Sequence, residues 1–127
     1  MTTQHQPAIA VRARPQYLPE QSDADQQRYV FSYTILISNE STQPVQLLHR
    51  YWLITDGNGA TQEVYGAGVV GEQPTIEPGG TYVYTSGALC QTEVSTMEGY
   101  YEMVTADGEP FKATIPVFTL AVPNRLN

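Results

Sequence analysis

Tyr29, Phe31, Tyr33, Ile35 and Ile37 alternate strictly, with Ser32, Thr34 and Ser38 between them on the opposite side. Only an extended backbone segregates residues with a period of two, so this segment reads as a strand with one face on a core. The period recurs along the chain. Residues 9–14 set Ile9, Val11 and Ala13 against Ala10, Arg12 and Arg14. Residues 45–56 place Leu48, Arg50, Trp52 and Ile54 on one face and Leu47, His49, Tyr51 and Leu53 on the other. Further strands are expected over 61–65, 81–86 (Tyr82, Tyr84 and Ser86 on one side), 99–106 and 111–121, with Pro116 at a bulge or an edge. No segment carries a helical stripe, and residues 20–27 read as a polar loop.

Turn chemistry separates these segments. Asp56-Gly57-Asn58-Gly59, Pro78-Gly79 and Asp107-Gly108 supply residues that accept positive φ or preset a turn, and residues 39–44 form another turn region. About seven short strands so punctuated imply an all-β fold, a sandwich of two antiparallel sheets. Trp52 falls in the third strand, where immunoglobulin-like sandwiches bury a tryptophan. Gly99-Tyr100-Tyr101 is placed to offer a tyrosine-corner-like contact. A lone cysteine, Cys90, forbids an intramolecular disulfide, so fibronectin type III is the better template. The expected organisation is one domain over 1–127, with 1–7 as a flexible tail. Cys90 itself reads as a small packing residue near a strand end rather than a reactive thiol.

Gly66, Gly68 and Gly71 spell the G-x-G-x-x-G signature of dinucleotide-binding loops. That signature works by launching a helix whose N-terminal N–H groups face a pyrophosphate. Here Glu72-Gln73-Pro74 follows, and a proline so early in a helix removes a donor and clashes with the preceding turn. The glycines are therefore expected to bend backbone between β elements. A turn rich in glycine can still cradle an anion without a helix, so Gly66, Gly68 and Gly71 form a candidate phosphate or ligand loop. Glu63 and Glu72 oppose that reading, and Arg50 assists only where the fold brings it near.

Thirteen acidic residues against six basic ones give a net charge of −7, and Lys112 is the only lysine. Arg12, Arg14, Arg28, Arg50 and Arg125 are dispersed, which disfavours direct nucleic-acid binding and contact with an acidic membrane surface. No apolar run approaches the roughly 20 residues that span a bilayer. The N-terminus lacks the basic and apolar regions of a signal peptide, so a cytoplasmic location is expected. His5, His49 and Cys90 are widely separated and show no ligand spacing, so neither metal nor cofactor is expected. A lone His49 in mid-strand reads as structural rather than as a general base. No catalytic set emerges, and the chain is expected not to be an enzyme.

Several stretches together resemble the ApaG family of small bacterial β-sandwich proteins, over nearly the whole chain from about Ile9. They are residues 29–33 (YVFSY), 47–56 (LLHRYWLITD), 66–74 (GAGVVGEQP), 82–87 (YVYTSG), 97–103 (MEGYYEM) and 115–118 (IPVF). The resemblance implies a fibronectin type III-like fold without established enzyme activity and a genetic link to cobalt resistance and magnesium efflux. Gene neighbours of the family act on dinucleoside polyphosphates and ribosomal RNA. Related domains in eukaryotic F-box proteins and a DNA-polymerase-delta-interacting protein imply protein binding.

Among the nine tyrosines, Tyr51 and Tyr65 lie on or beside the third and fourth strands, Tyr82 and Tyr84 on the fifth, and Tyr100 and Tyr101 on the sixth. They suit a cross-strand platform that stacks on a planar ligand or anchors a partner with little entropy loss. The expected interaction surface is Tyr82 and Tyr84 with Arg50, on a monomer or weak homo-oligomer that binds a protein partner. The competing expectation is a sensor that takes a nucleotide polyphosphate or a divalent cation at residues 66–71.

Overall fold

In the computed structural model, which describes residues 6–124, eight strands account for nearly all regular structure. They are β1 (Ile9–Tyr17), β2 (Tyr29–Asn39), β3 (Val45–Asp56), β4 (Thr61–Ala67), β5 (Thr75–Ile76), β6 (Thr81–Cys90), β7 (Val94–Thr105) and β8 (Pro110–Ala121). Most of the expected 1–7 tail, His5 included, lies outside the described residues, as does Arg125. One sheet has the order β1-β2-β6, the other β4-β3-β7-β8, and the two-residue β5 pairs with the start of β3. Every pairing is antiparallel. The expected sandwich is therefore observed, with a three-stranded layer facing a larger one. Two short 3-10 turns, Pro19–Gln21 and Ala24–Gln26, occupy the polar loop.

The β2 alternation builds the centre of the core. Phe31, Tyr33, Ile35 and Ile37 are buried, and Trp52, Tyr101, Met103, Ile115 and Leu120 meet them from the other sheet. Tyr33, Trp52 and Phe118 form a triangle of aromatic edges and faces with centroids 5.4–6.0 Å apart. Asn39 closes β2 as a buried polar residue whose bonds are all met. Its Nδ2 donates to the carbonyls of Gln43 and Ile76 (both 2.8 Å), and its Oδ1 accepts from the Ser41 amide and hydroxyl. Cys90, the last residue of β6, is buried, and desolvation pushes its thiol up, as suits a packing residue.

Two irregularities break the alternation. The β3–β7 register shifts between Leu47 and His49, so Leu48 is an extra residue in β3. Leu47 is consequently buried with Trp52 and Ile54, against the expectation that groups it with His49 and Tyr51. The second shift, between Met97 and Gly99 on β7, leaves the extra residue in β8 around Pro116, on an edge strand as expected. No tyrosine corner forms at Tyr101. Its hydroxyl meets that of Tyr84 at 2.5 Å in the core, rather than an upstream backbone group.

The buried phenols make stability depend on alkaline pH. Burial is the first cause that raises the Tyr33, Tyr84 and Tyr101 pKa values. In the unfolded chain these groups ionise near pH 10, so above it the unfolded state holds fewer protons than the native one. Their contribution is complete below about pH 10 and is lost as pH climbs through the raised native values, by at most about 1.4 kcal/mol per pH unit for each tyrosine. Tyrosinate absorbance should show a subset of the nine tyrosines ionising only as the fold is lost. Ionisation of all nine as free phenols before unfolding would contradict this burial.

Candidate functional site

The 61–65 strand extends to Ala67, and no helix follows Gly71. Val69 and Glu72 instead exchange both backbone hydrogen bonds (2.8 and 2.9 Å) around Val70 (φ 47°) and Gly71 (φ 78°). Two positive φ angles in a two-residue loop define a type I′ hairpin, which favours asparagine before glycine. Val70 fills that place although a β-branched residue with positive φ is a genuine outlier, and its side chain is 63% exposed. Gly68 is held more tightly. Its φ is +66°, its amide donates to Leu48 O at 2.8 Å, and a Cβ there would lie 2.4 Å from Glu72 O. The amides of Gly68, Val69 and Glu72 are thus engaged within the backbone.

The fold does bring Arg50 to this segment. Arg50 lies opposite Gly66 in the β3–β4 register, and its Nη1 donates to the carbonyls of Ala67 and Gly68, both at 3.0 Å. A Cβ on Gly66 would sit 3.0–3.2 Å from Nη1, Nη2 and Cζ together, so the guanidinium lies flat where a side chain would otherwise be. On its other flank is a cleft of about 320 Å³ between β4 and β6, the edge strands of the two sheets, lined by Tyr33, Trp52, Tyr84 and Ser86 as well as Arg50 and Gly71. Gly66, Gly68, Gly71 and Arg50 therefore do form one constellation.

Tyr82 and Tyr84 do not form the expected exposed surface. They pair with Ile37 and Ile35, and cross-strand partners share a face, so both rings turn toward the core. Tyr84 is buried, and Tyr82 packs against the core 6.4 Å from it. The accessible aromatic surface is instead the outer face of the larger sheet. There Tyr65, Tyr51 and Tyr100 stand opposite one another across β4, β3 and β7. Tyr51 stacks on Tyr100 with centroids 4.9 Å apart, His49 stacks on Tyr65 at 5.6 Å, and Lys112 Nζ sits 4.3 Å from the Tyr100 centroid.

Carboxylates pin this plate. Tyr51 donates to Glu63 at 2.6 Å and Tyr65 to Glu102, which also meets His49 Nδ1 at 3.3 Å. Both phenols are raised, first because the hydrogen bond to a carboxylate requires the protonated form. A shallow groove of about 380 Å³ adjoins the plate, lined by Leu48, His49, Glu102, Phe111 and Lys112 among others. Among the described residues, no three His, Cys, Asp or Glu side chains gather as a metal site would require. No described helix is long and apolar enough to cross a membrane.

The strand order and the aromatic core define a fibronectin type III-like β-sandwich with an inter-sheet cleft and an outward aromatic plate. An ApaG domain profile matches residues 19–105. The chain is 55% identical to Protein ApaG of Pseudomonas aeruginosa (strain LESB58) over 125 residues, 98% of each chain. It is 52% identical to Protein ApaG of Klebsiella pneumoniae (strain 342), over 95% of this chain and 97% of that one. The crystal structure of a Bordetella pertussis protein described as ApaA superposes with a TM-score of 0.90 at 47% identity, covering 93% of this chain and 96% of the other. The chain belongs to the ApaG family.

Proposed function

We propose that this chain is a non-enzymatic interaction module that holds a protein partner on the outer face of β4, β3 and β7. The observation that carries this reading is the Tyr65–Tyr51–Tyr100 row, stacked and fixed by Glu63 and Glu102. Side chains already fixed before binding lose little entropy when a partner covers them, and aromatic rings contribute much of the energy at interfaces. The rim is mainly acidic, with Glu63, Glu98 and Glu102 beside the rings and a chain charge of −7. That setting suits a partner that presents arginine, whose planar cation stacks on tyrosine while it pairs with carboxylate. On this reading the cobalt and magnesium associations implied by the family act through the partner.

Co-purification from cells with wild-type and Tyr65→Ser/Tyr100→Ser chains tests the proposal. A partner retained in a fixed ratio by wild type and by Tyr82→Phe, but lost from the double variant, is the expected result. Equal retention by the double variant, or no partner on wild type across a range of salt, would overturn it.

A further inference from the structure

The cleft on the opposite side of β3 is unlike the plate. Its main part is lined by Tyr33, Arg50, Trp52, Tyr84 and Ser86. An adjoining part of about 250 Å³, which shares Tyr33, Arg50, Trp52 and Ser86, is lined further by Ile54, Gln62, Val64 and Met97. Among the described residues, Arg50 is the only charged one lining either part. Among the described residues no carboxylate lies within ion-pair distance of it, although the chain carries thirteen acids. A half-buried cation without a counter-charge is uncommon, because burial penalises charge that is not paired.

Guanidinium has five donors, and both recorded Arg50 bonds, to Ala67 O and Gly68 O, come from Nη1. Among the described residues nothing accepts from the side-on pair of Nε and Nη2, a fork that fits the two oxygens of a carboxylate. Trp52, which lines both parts of the cleft and is 2% exposed, has an Nε1 donor without a hydrogen-bond partner. Buried polar groups are seldom left so, and a native exception calls for an explanation. Val70, held in its unfavourable conformation, lines the same cleft, and backbone strain of this kind gathers at ligand sites.

We infer that the inter-sheet cleft is a binding site for a small organic acid: one carboxylate on the Arg50 fork and an apolar body along Trp52 toward Ile54 and Val64. A single cation in a strongly acidic chain suits one negative charge and not a polyphosphate. Contact with Ile54, Val64 and Met97 in the adjoining part separates this ligand from inorganic anions. The inference does not rest on the protein-partner reading, since Arg50 and Trp52 face the core side of β3 while Tyr51 faces outward.

Trp52 is the only tryptophan, so its indole N–H resonance and its fluorescence report on the cleft directly. The protein would be titrated with benzoate, 3-methylbutanoate, benzyl alcohol, inorganic phosphate and pyrophosphate. Saturable shifts of the indole resonance by the two carboxylates, with phosphate, pyrophosphate and the uncharged alcohol weaker, are expected. Arg50→Gln should weaken carboxylate binding at least about tenfold. Arg50→Lys, which keeps the charge and loses the fork, should weaken it too, and it serves alone if Arg50→Gln does not fold. Silence toward both carboxylates, a stronger response to phosphate or pyrophosphate, or affinity unchanged in the folded Arg50 variants would each overturn the assignment.

Discussion

Gly99→Ala is expected to cost about 3 kcal/mol or more, the upper end for overpacking a filled interior. Gly99 lies on β7 opposite Trp52 of β3 and Ile115 of β8, where the two backbones approach more closely than a side chain permits. A Cβ would stand 1.9 Å from Tyr51 O, 2.9 Å from Tyr51 C and 3.2 Å from Trp52 Cα. All three are backbone atoms, so no rotamer change relieves the clash and β3 must move away from β7. Gly87 is the control, a mid-strand glycine on β6 whose Cβ would meet only Phe31 O, at an ordinary 3.5 Å. Urea unfolding of the two variants should therefore differ sharply, with Gly87→Ala near wild type. Gly99 also adjoins the stacked Tyr51–Tyr100 pair, so a Gly99→Ala chain that still folds should have a disturbed plate and weakened partner retention. Equal midpoints for Gly99→Ala and wild type would mean that the close approach does not exist in solution.

Much of this architecture was legible in the residues. The alternation on β2 locates its buried face without help, and Pro116 marks the β8 irregularity because proline cannot donate to a sheet. The Leu48 bulge was not legible. Leu47 and Leu48 are both apolar, so inserting a residue between faces leaves no break in polarity, and only pairing with β7 reveals it. Tyr82 and Tyr84 show the limit of periodicity. Their spacing says that they share a face, whereas the identity of that face depends on pairing with Ile37 and Ile35.

The candidate sites divide in the same way. The β3–β4 hairpin pairs Thr55 with Thr61, and that register alone sets Arg50 opposite Gly66 and Tyr51 opposite Tyr65. Counting back from the turn at 56–59 would have found half of both sites. The remainder comes from contacts distant in sequence: Tyr100 and Lys112 reach the plate through β7 and β8, and Tyr33 and Ser86 reach the cleft through the other sheet. The G-x-G-x-x-G spelling launches no helix. Gly66 leaves room for a guanidinium, while Gly68 and Gly71 serve a hairpin.

Trp52→Ala should destabilise the fold by about 3–5 kcal/mol, because it removes a buried indole from a close-packed interior that only partly collapses around the void. Trp52 touches both layers, meeting Tyr33 at 5.4 Å, Phe118 at 5.9 Å and Tyr101 at 6.5 Å between centroids, all near edge-to-face. Trp52→Phe separates packing from polarity. It keeps a ring in that cage and deletes Nε1, the one buried side-chain polar atom without a partner among the described residues. An unpaired buried donor is itself a cost, so its removal offsets part of the lost volume and the phenylalanine variant should lose well under half of what alanine loses. Far-ultraviolet circular dichroism is the suitable signal, since either change removes the only tryptophan. A phenylalanine chain as unstable as the alanine one would mean that Nε1 makes a favourable bond in solution.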